Sequence, residues 1–257
     1  MVQYVIRRLL YSAVVLIAAS FLVFFFVTAS GDPLAALEIT PNVSQETVDN
    51  IRERKHLDEN VFVRYGYWAE DAVRNNFGTT LLTNQKIFPD LWRVMKNTLQ
   101  LVLIAELLAV FVAVGNGVYS ALRQYSAFDY TATTFSFLGL ATPVFWLALM
   151  LQVAVVQVYL STGHRIFPVA SLNSVDPGTG LDFAIDRAHH LVLPVIVLMV
   201  ASIATYSRYM RASMLEVVNS DYVRTARAKG LGESKVTMKH AFRNALIPLV
   251  TPVALNF

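Results

Sequence analysis

From Leu9 to Ala29 the sequence runs without a charged residue and passes through Phe24, Phe25 and Phe26. A hydrocarbon layer about 30 Å thick is crossed by about 20 helical residues, so this run is long enough to span it. Lipid offers no partner to backbone N–H and C=O groups, which restricts such a run to helix. A secretory signal has a shorter apolar core and a small-residue cleavage site. The continuation Ala29-Ser30-Gly31 leaves cleavage open as the alternative, and the run is read as an uncleaved first span.

Further apolar runs cover about 98–122, 130–160 and 191–209, and a fifth starts at Ala245. With 55% hydrophobic and 15% charged residues and a mean hydropathy of +0.49, the 257 residues are more apolar than a soluble domain of this length. The expected fold class is an all-α polytopic membrane protein. The fifth run, 245–257, is too short to cross and is expected to be part of a span. There are no cysteines, so disulfides, thiolate metal sites and cysteine nucleophiles are excluded.

Charge sets the expected topology. Residues 1–8, 122–129 and 208–244 hold eleven Lys and Arg against four acids. Arg7, Arg8, Arg123, Arg208 and Arg211 sit at the ends of the runs, so these segments are placed inside with the N-terminus. The net charge of +3 is then a topology signal and no argument for nucleic acid. Loops 30–97 and 161–190 lie outside, and 210–244 forms a cytoplasmic loop.

Within the first outer loop, Ser44 ahead of Gln45-Glu46-Thr47 predicts a capped surface helix. Val61, Tyr65, Trp68 and Ala72 recur at helical spacing and predict an amphipathic helix against the membrane or the spans. An external docking rim and a cap packed on the bundle are both open. Asn42-Val43-Ser44 fits a glycosylation acceptor formally. In the second span Ala109, Ala113, Gly117 and Ala121 repeat every four residues, a ladder that lets another helix approach closely.

Glu106 lies in the same span and has to face protein or water. Proton coupling and bonding to amides such as Gln100, Asn116, Gln152 or Gln157 are the alternatives. In the third run, Pro143 removes a donor and crowds the carbonyl of Gly139, predicting a kink or break at Thr142-Pro143-Val144-Phe145. Transporters place such breaks beside their pathway, so Thr142, Pro143, Phe145 and Glu106 are the candidate path residues, a plain structural kink being the alternative. His164, His189 and His190 have no ligand spacing that supports a metal site.

No phosphate-cradling Gly-x-x-x-x-Gly-Lys-Ser/Thr loop, zinc-protease motif, nucleophile elbow or dinucleotide fingerprint occurs. No catalytic residue is assigned, and transport is favoured over catalysis. The polar stretch from Asp221 to Gly230 interrupts this apolar chain with a helix marked at both ends. Asp221 is expected as N-cap, Arg227 and Lys229 in the last turn, and Gly230 as the left-handed stop. A second helix is expected from Glu233, carrying Val236, Met238 and Phe242. A solvated basic loop at lipid headgroups is the alternative to a docking surface.

The stretch Tyr222-Val-Arg-Thr-Ala-Arg-Ala-Lys-Gly-Leu231, with Lys239-His-Ala-Phe-Arg-Asn-Ala-Leu-Ile-Pro248, closely resembles the cytoplasmic loop of ABC importer permeases for dipeptides, oligopeptides and nickel. The likeness extends through Arg7-Arg8-Leu9, Gly31-Asp32-Pro33, Leu57-Asp58, Arg64-Tyr65 and Thr142-Pro143-Val144-Phe145, essentially the whole chain. The family's Glu-Ala-Ala motif is altered: Arg224 and Thr225 stand for its Glu and first Ala before Ala226 and Gly230, and Phe242-Arg243 for its Leu-Pro. Both departures look typical of the peptide branch.

The resemblance implies a type I ABC importer transmembrane domain with six spans, of which four whole ones and part of a fifth are recognised here. It implies that Asp221, Tyr222, Arg224, Thr225, Ala226, Arg227, Lys229 and Gly230 form the coupling helix region that fits an ATPase cleft. It further implies a prokaryotic plasma-membrane complex with a second homologous permease, two ATP-binding subunits and an extracytoplasmic substrate-binding protein. This chain then needs no cofactor of its own, ATP being bound by its partners. The expected function is ATP-driven import of di- or oligopeptides by alternating access. A nickel or small-solute permease and a gradient-driven transporter are the alternatives.

Overall fold

The computed structural model describes residues 2–39, 43–80 and 83–256, which leaves Asn42 of the glycosylation triplet outside the described residues. Among these, regular structure is helical apart from one isolated antiparallel bridge between Thr79 and Lys86. The chain forms two compact units, Met1–Met95 and Lys96–Phe257.

The first unit begins with α1 (Val2–Ala29), free of charge from Leu9 onward and with no residue buried within the described chain. Such a helix leaves its surface for lipid or for other helices. After α2 (Ala35–Glu38), α3 (Gln45–Arg54) starts where expected: the Ser44 hydroxyl accepts from the Thr47 N–H at 3.2 Å. Its Val48 closes a small core with Leu34 and Leu37. Helix α4 (Val61–Val73) is capped by Asn60, whose Oδ1 accepts from the N–H groups of Phe62 and Val63. Its amphipathic face meets α1: Tyr65 Oη lies 2.7 Å from Ser20 Oγ, and the Tyr65 and Trp68 rings pack on Phe24.

Helix α5 (Ile87–Leu122) contributes its residues from Lys96 onward to the second unit. The small-residue ladder is buried throughout, with Ala109 and Ala113 fully enclosed. At Gly117 the reason is geometric: a Cβ would come within 2.6 Å of Met210 Cβ and 2.8 Å of the Ser207 carbonyl. Only glycine lets α5 approach α8 (Leu181–Val218) this closely.

The third apolar run is two helices, α6 (Ala127–Ala141) and α7 (Val144–Thr162), separated at Thr142-Pro143. Pro143 has no N–H for the Gly139 carbonyl, and Thr142 is extended, as a residue before proline prefers. Both helices pack along α8. Asp129 meets Arg211, Gly139 meets Val200 and Ala204, and Ala148 and Gln152 share a groove with Leu193 and Val197. In that descending register α6 and α7 follow one another along α8.

Helix α8 overruns the expected segment 191–209 at both ends. Its 38 residues measure about 57 Å at 1.5 Å each, well beyond a hydrocarbon core. Asp182, Asp186 and Arg187 at one end and Arg208, Arg211 and Glu216 at the other interrupt hydropathy without interrupting the helix. Among the described residues four helices, α1, α5, α7 and α8, are long and apolar enough to cross a membrane. After α8 come α9 (Asp221–Ala228), α10 (Glu233–Lys235), a π-helical segment (Val236–Phe242), α11 (Arg243–Ala245) and α12 (Ile247–Leu255). The helix expected from Glu233 is therefore present but widened through Val236, Met238 and Phe242.

Candidate coupling site

Helix α9 is short, so its position depends on what its two faces touch. Val223 and Ala226 point into the core formed by Met210, Met214, Val236, Ala241 and Ala245, and Val223 is fully enclosed. The opposite face leaves Tyr222, Arg224, Thr225 and Lys229 exposed. This division fixes α9 to the end of α8 while presenting a basic, hydroxyl-bearing surface.

The capping differs from expectation at one end. Ser220, not Asp221, occupies the N-cap position, and its hydroxyl donates to the Val217 carbonyl at 2.6 Å. Asp221 is the first helical residue, where its fully exposed carboxylate opposes the positive end of the helix dipole. At the other end the expected stop is present. Gly230 has φ +77°, its N–H donates to the Arg227 carbonyl at 2.9 Å, and the Leu231 N–H reaches the Ala226 carbonyl. This paired arrangement satisfies two carbonyls that a helix otherwise leaves unpaired.

Two side chains tie α9 to its surroundings. Arg227 Nε donates to Glu233 Oε1 at 2.8 Å, joining α9 to α10, and its NH1 donates to the Val218 carbonyl. Tyr222 Oη accepts from Asn244 Nδ2 at 3.2 Å. Thr225 donates back to the Asp221 carbonyl at 2.8 Å, and Arg224 stands 3.8 Å from Asp221. All eight candidate coupling residues thus fall on α9 or its stop, and most of their polar groups face outward.

The four candidate path residues do not form one cluster. Glu106 is buried, with Oε1 accepting from Ser202 Oγ at 2.8 Å and the enclosed Tyr206 nearby. Its partner is a hydroxyl of α8 and none of the four amides considered from sequence, and among the described residues its Oε2 has no hydrogen-bond partner. Thr142 donates to the Leu138 carbonyl at 2.7 Å beside the Pro143 break, and Phe145 is an exposed ring. Among the described residues no hydrogen bond or ring contact joins these three to Glu106. The histidines make ordinary contacts: His189 Nε2 lies 2.7 Å from the Ile166 carbonyl and His190 Nδ1 2.9 Å from that of Asp186. Among the described residues no three potential metal-binding side chains gather.

Sequence reasoning missed two polar constellations. Asp129 accepts from Arg211, from Ser120 Oγ and from the Tyr125 N–H, binding α5, the following turn, α6 and α8 into one knot. Arg187 is buried and donates to Asn97 at 2.6 Å, to Gln100, and to the Leu172 carbonyl. Arg211 had been visible only as one of several topology charges, and Arg187 as part of an outer loop. Neither pairing leaves a local motif.

A family model described as binding-protein-dependent transport system inner membrane component matches residues 113–257. One for the N-terminal part of such membrane components matches residues 1–86. The oligopeptide transport system permease protein AppB of Bacillus subtilis is 38% identical over 98% of this chain and 77% of its own length. OppB of Mycobacterium tuberculosis, named likewise, is 36% identical over 98% of this chain and 78% of its own. The dipeptide transport system permease protein DppB of Alkalihalophilus pseudofirmus is 33% identical over 100% and 80%. With the apolar helices and the α9 region in place, the chain belongs to the binding-protein-dependent transport permeases, as an ABC importer permease with a type I transmembrane domain in the prokaryotic plasma membrane.

Proposed function

We propose that this chain is one of two permease subunits of an ATP-driven importer of di- or oligopeptides, working by alternating access with its N-terminus in the cytoplasm. The observation that carries the cargo is the naming of the relatives, which are oligopeptide and dipeptide permeases along nearly the whole chain. Energy enters from two separate ATP-binding subunits, and an extracytoplasmic binding protein delivers the peptide. No catalytic group is required of the chain itself.

The two faces of α9 support this division of labour. Its exposed Tyr222, Arg224, Thr225 and Lys229 take the ATPase cleft, while Val223 and Ala226 bear on Met214 and Val236. A displacement of α9 is then handed to α8 and to the π-helical segment without an intervening flexible joint, because dense packing transmits it. Along α8 the motion reaches Ser202 and Glu106, and through α6 the break at Thr142-Pro143, where Phe145 is assigned to the pathway.

The test is uptake of a labelled peptide by the complete reconstituted complex. Import is expected to continue when an ionophore collapses ion gradients and to stop when ATP is withdrawn from the cytoplasmic side. Import that follows the gradient and ignores ATP would leave α9 without its proposed partner and return Glu106 to a coupling role.

A further inference from the structure

The motifs Gly31-Asp32-Pro33, Leu57-Asp58 and Arg64-Tyr65 have no part in the coupling scheme, yet each places one residue, Pro33, Leu57 and Arg64, on the wall of one cleft within the first unit. The cleft has a volume of about 490 Å³. Phe24 of α1 and Trp68 of α4 form its apolar side, and Lys55, His56 and Arg64 its polar side.

Its charge is unbalanced. Arg64 Nε is buried without a partner among the described residues, and a buried donor left unpaired is costly until something accepts from it. Neither Lys55 nor Arg64 has an ion-pair partner among the described residues. The acids at the rim are occupied: Glu70 holds Arg74 at 2.7 Å, and Asp71 accepts from Asn76 at 3.0 Å. Asp32, the other carboxylate near Arg64, is taken by Arg52 and the Leu34 N–H. His56 at the edge is held in a left-handed conformation, φ +54°, with its ring stacked on Tyr67 at 4.2 Å. A non-glycine residue kept there indicates surroundings that over-determine its position.

Depth selects the ligand. Phe24 lies five residues before the end of α1 at Ala29, about 7.5 Å along the axis, comparable to the interfacial layer on one side of a bilayer. Trp68 and Tyr67 add the amphipathic rings that favour that layer. We propose that the cleft binds the phosphate of a membrane phospholipid, in the leaflet at the C-terminal end of α1. Arg64 and Lys55 take the phosphate oxygens, a guanidinium being suited to two at once, and Phe24 and Trp68 cover the glycerol and first methylenes.

The test uses the full chain in its assembled complex, stripped of lipid in detergent. It is titrated separately with dihexanoyl phosphatidylglycerol, inorganic phosphate and a phosphate-free galactolipid. Saturable binding of the phospholipid is expected, weakened about tenfold or more by Lys55→Gln with Arg64→Gln, since charged hydrogen bonds are the stronger ones. Lys55→Gln alone, at an exposed position, is expected to weaken it in part, and Glu216→Gln to leave it unchanged. Equal phospholipid binding by wild type and both Lys55 variants overturns the proposal. So does equal binding of the galactolipid, and so does inorganic phosphate binding as tightly as the phospholipid, which would make the ligand a free anion.

Discussion

Arg211 holds Asp129 by two hydrogen bonds, Nε to Oδ1 at 2.6 Å and NH2 to Oδ2 at 2.8 Å. The Asp129 side chain is 3% exposed and that of Arg211 is 28%. Arg211 stands on α8 ahead of the helix that carries the candidate coupling surface, and Asp129 opens α6. The pair therefore joins the start of α6 to the last turns of α8.

Losing one partner costs about 3–5 kcal/mol where the charge left behind is fully enclosed, and less for loss of Asp129, which leaves a solvent-touching Arg211 and strands the donors of Ser120 and Tyr125. Asp129→Ala is expected to lower the thermal midpoint of the purified complex markedly, and Asp129→Asn to do so less because it keeps a hydrogen-bonding side chain. Asp129→Leu with Arg211→Met, which removes both charges, is expected to recover most of the loss. Thermal unfolding of the three variants measures this, and a double variant as unstable as Asp129→Ala would deny the charge its role.

Two glycines on α5 separate close packing from helix propensity. At Gly117 an added Cβ would overlap Met210 and the Ser207 carbonyl, whereas at Gly115 it meets nothing within 4 Å. Gly117→Val is expected to destabilise by about 1–3 kcal/mol through overpacking. Gly115→Ala is expected to be neutral or to stabilise by up to about 1 kcal/mol, glycine being the poorer helix former. Parallel thermal melts of the two variants check the contrast.

The Gly117 contact was legible because a four-residue ladder is a local pattern with one physical meaning. The helix breaker Pro143 and the stop at Gly230 were legible for the same reason. Asp129 and Arg211 were not, since 82 residues separate them and either charge alone looks like a topology marker. The ends of α8 were hidden because charged turns outside the hydrocarbon depress hydropathy while staying helical. The N-cap of α9 was missed by one residue: Ser220 and Asp221 are both good caps, and side-chain chemistry alone does not choose between neighbours.

Asp32 makes the fold of the segment that follows α1 sensitive to acid. Its carboxyl is held below the usual carboxylate range by the Leu34 N–H and then by the Arg52 guanidinium. A pKa lowered on folding stabilises above the unfolded value, about 3.9, and that contribution is lost as pH falls through the folded value. Below about pH 4 the amides of the segment around Leu34 and Arg52 are expected to lose protection relative to their intrinsic exchange rates at that pH. Asp32→Asn is expected to show that lower protection at neutral pH and little further loss in acid, measured as hydrogen exchange at two pH values, each corrected for the intrinsic rate.

Gly230 tests whether the orientation of α9 matters to transport. Its φ of +77° is left-handed, and no heavy atom lies within 4 Å of where a Cβ would stand. Any effect of substitution is thus one of backbone conformation, without steric overlap. Left-handed geometry costs a β-branched residue about 1–2 kcal/mol or more, while asparagine tolerates it well. Gly230→Val is expected to tilt the end of α9 and reduce peptide uptake about tenfold with the complex still assembled, and Gly230→Asn to keep most of it. ATP hydrolysis measured beside uptake separates uncoupling from loss of the complex. If Gly230→Val imports and stimulates hydrolysis like wild type, the left-handed stop does not set the position of α9, and the path of force through Val223 and Met214 has to be abandoned.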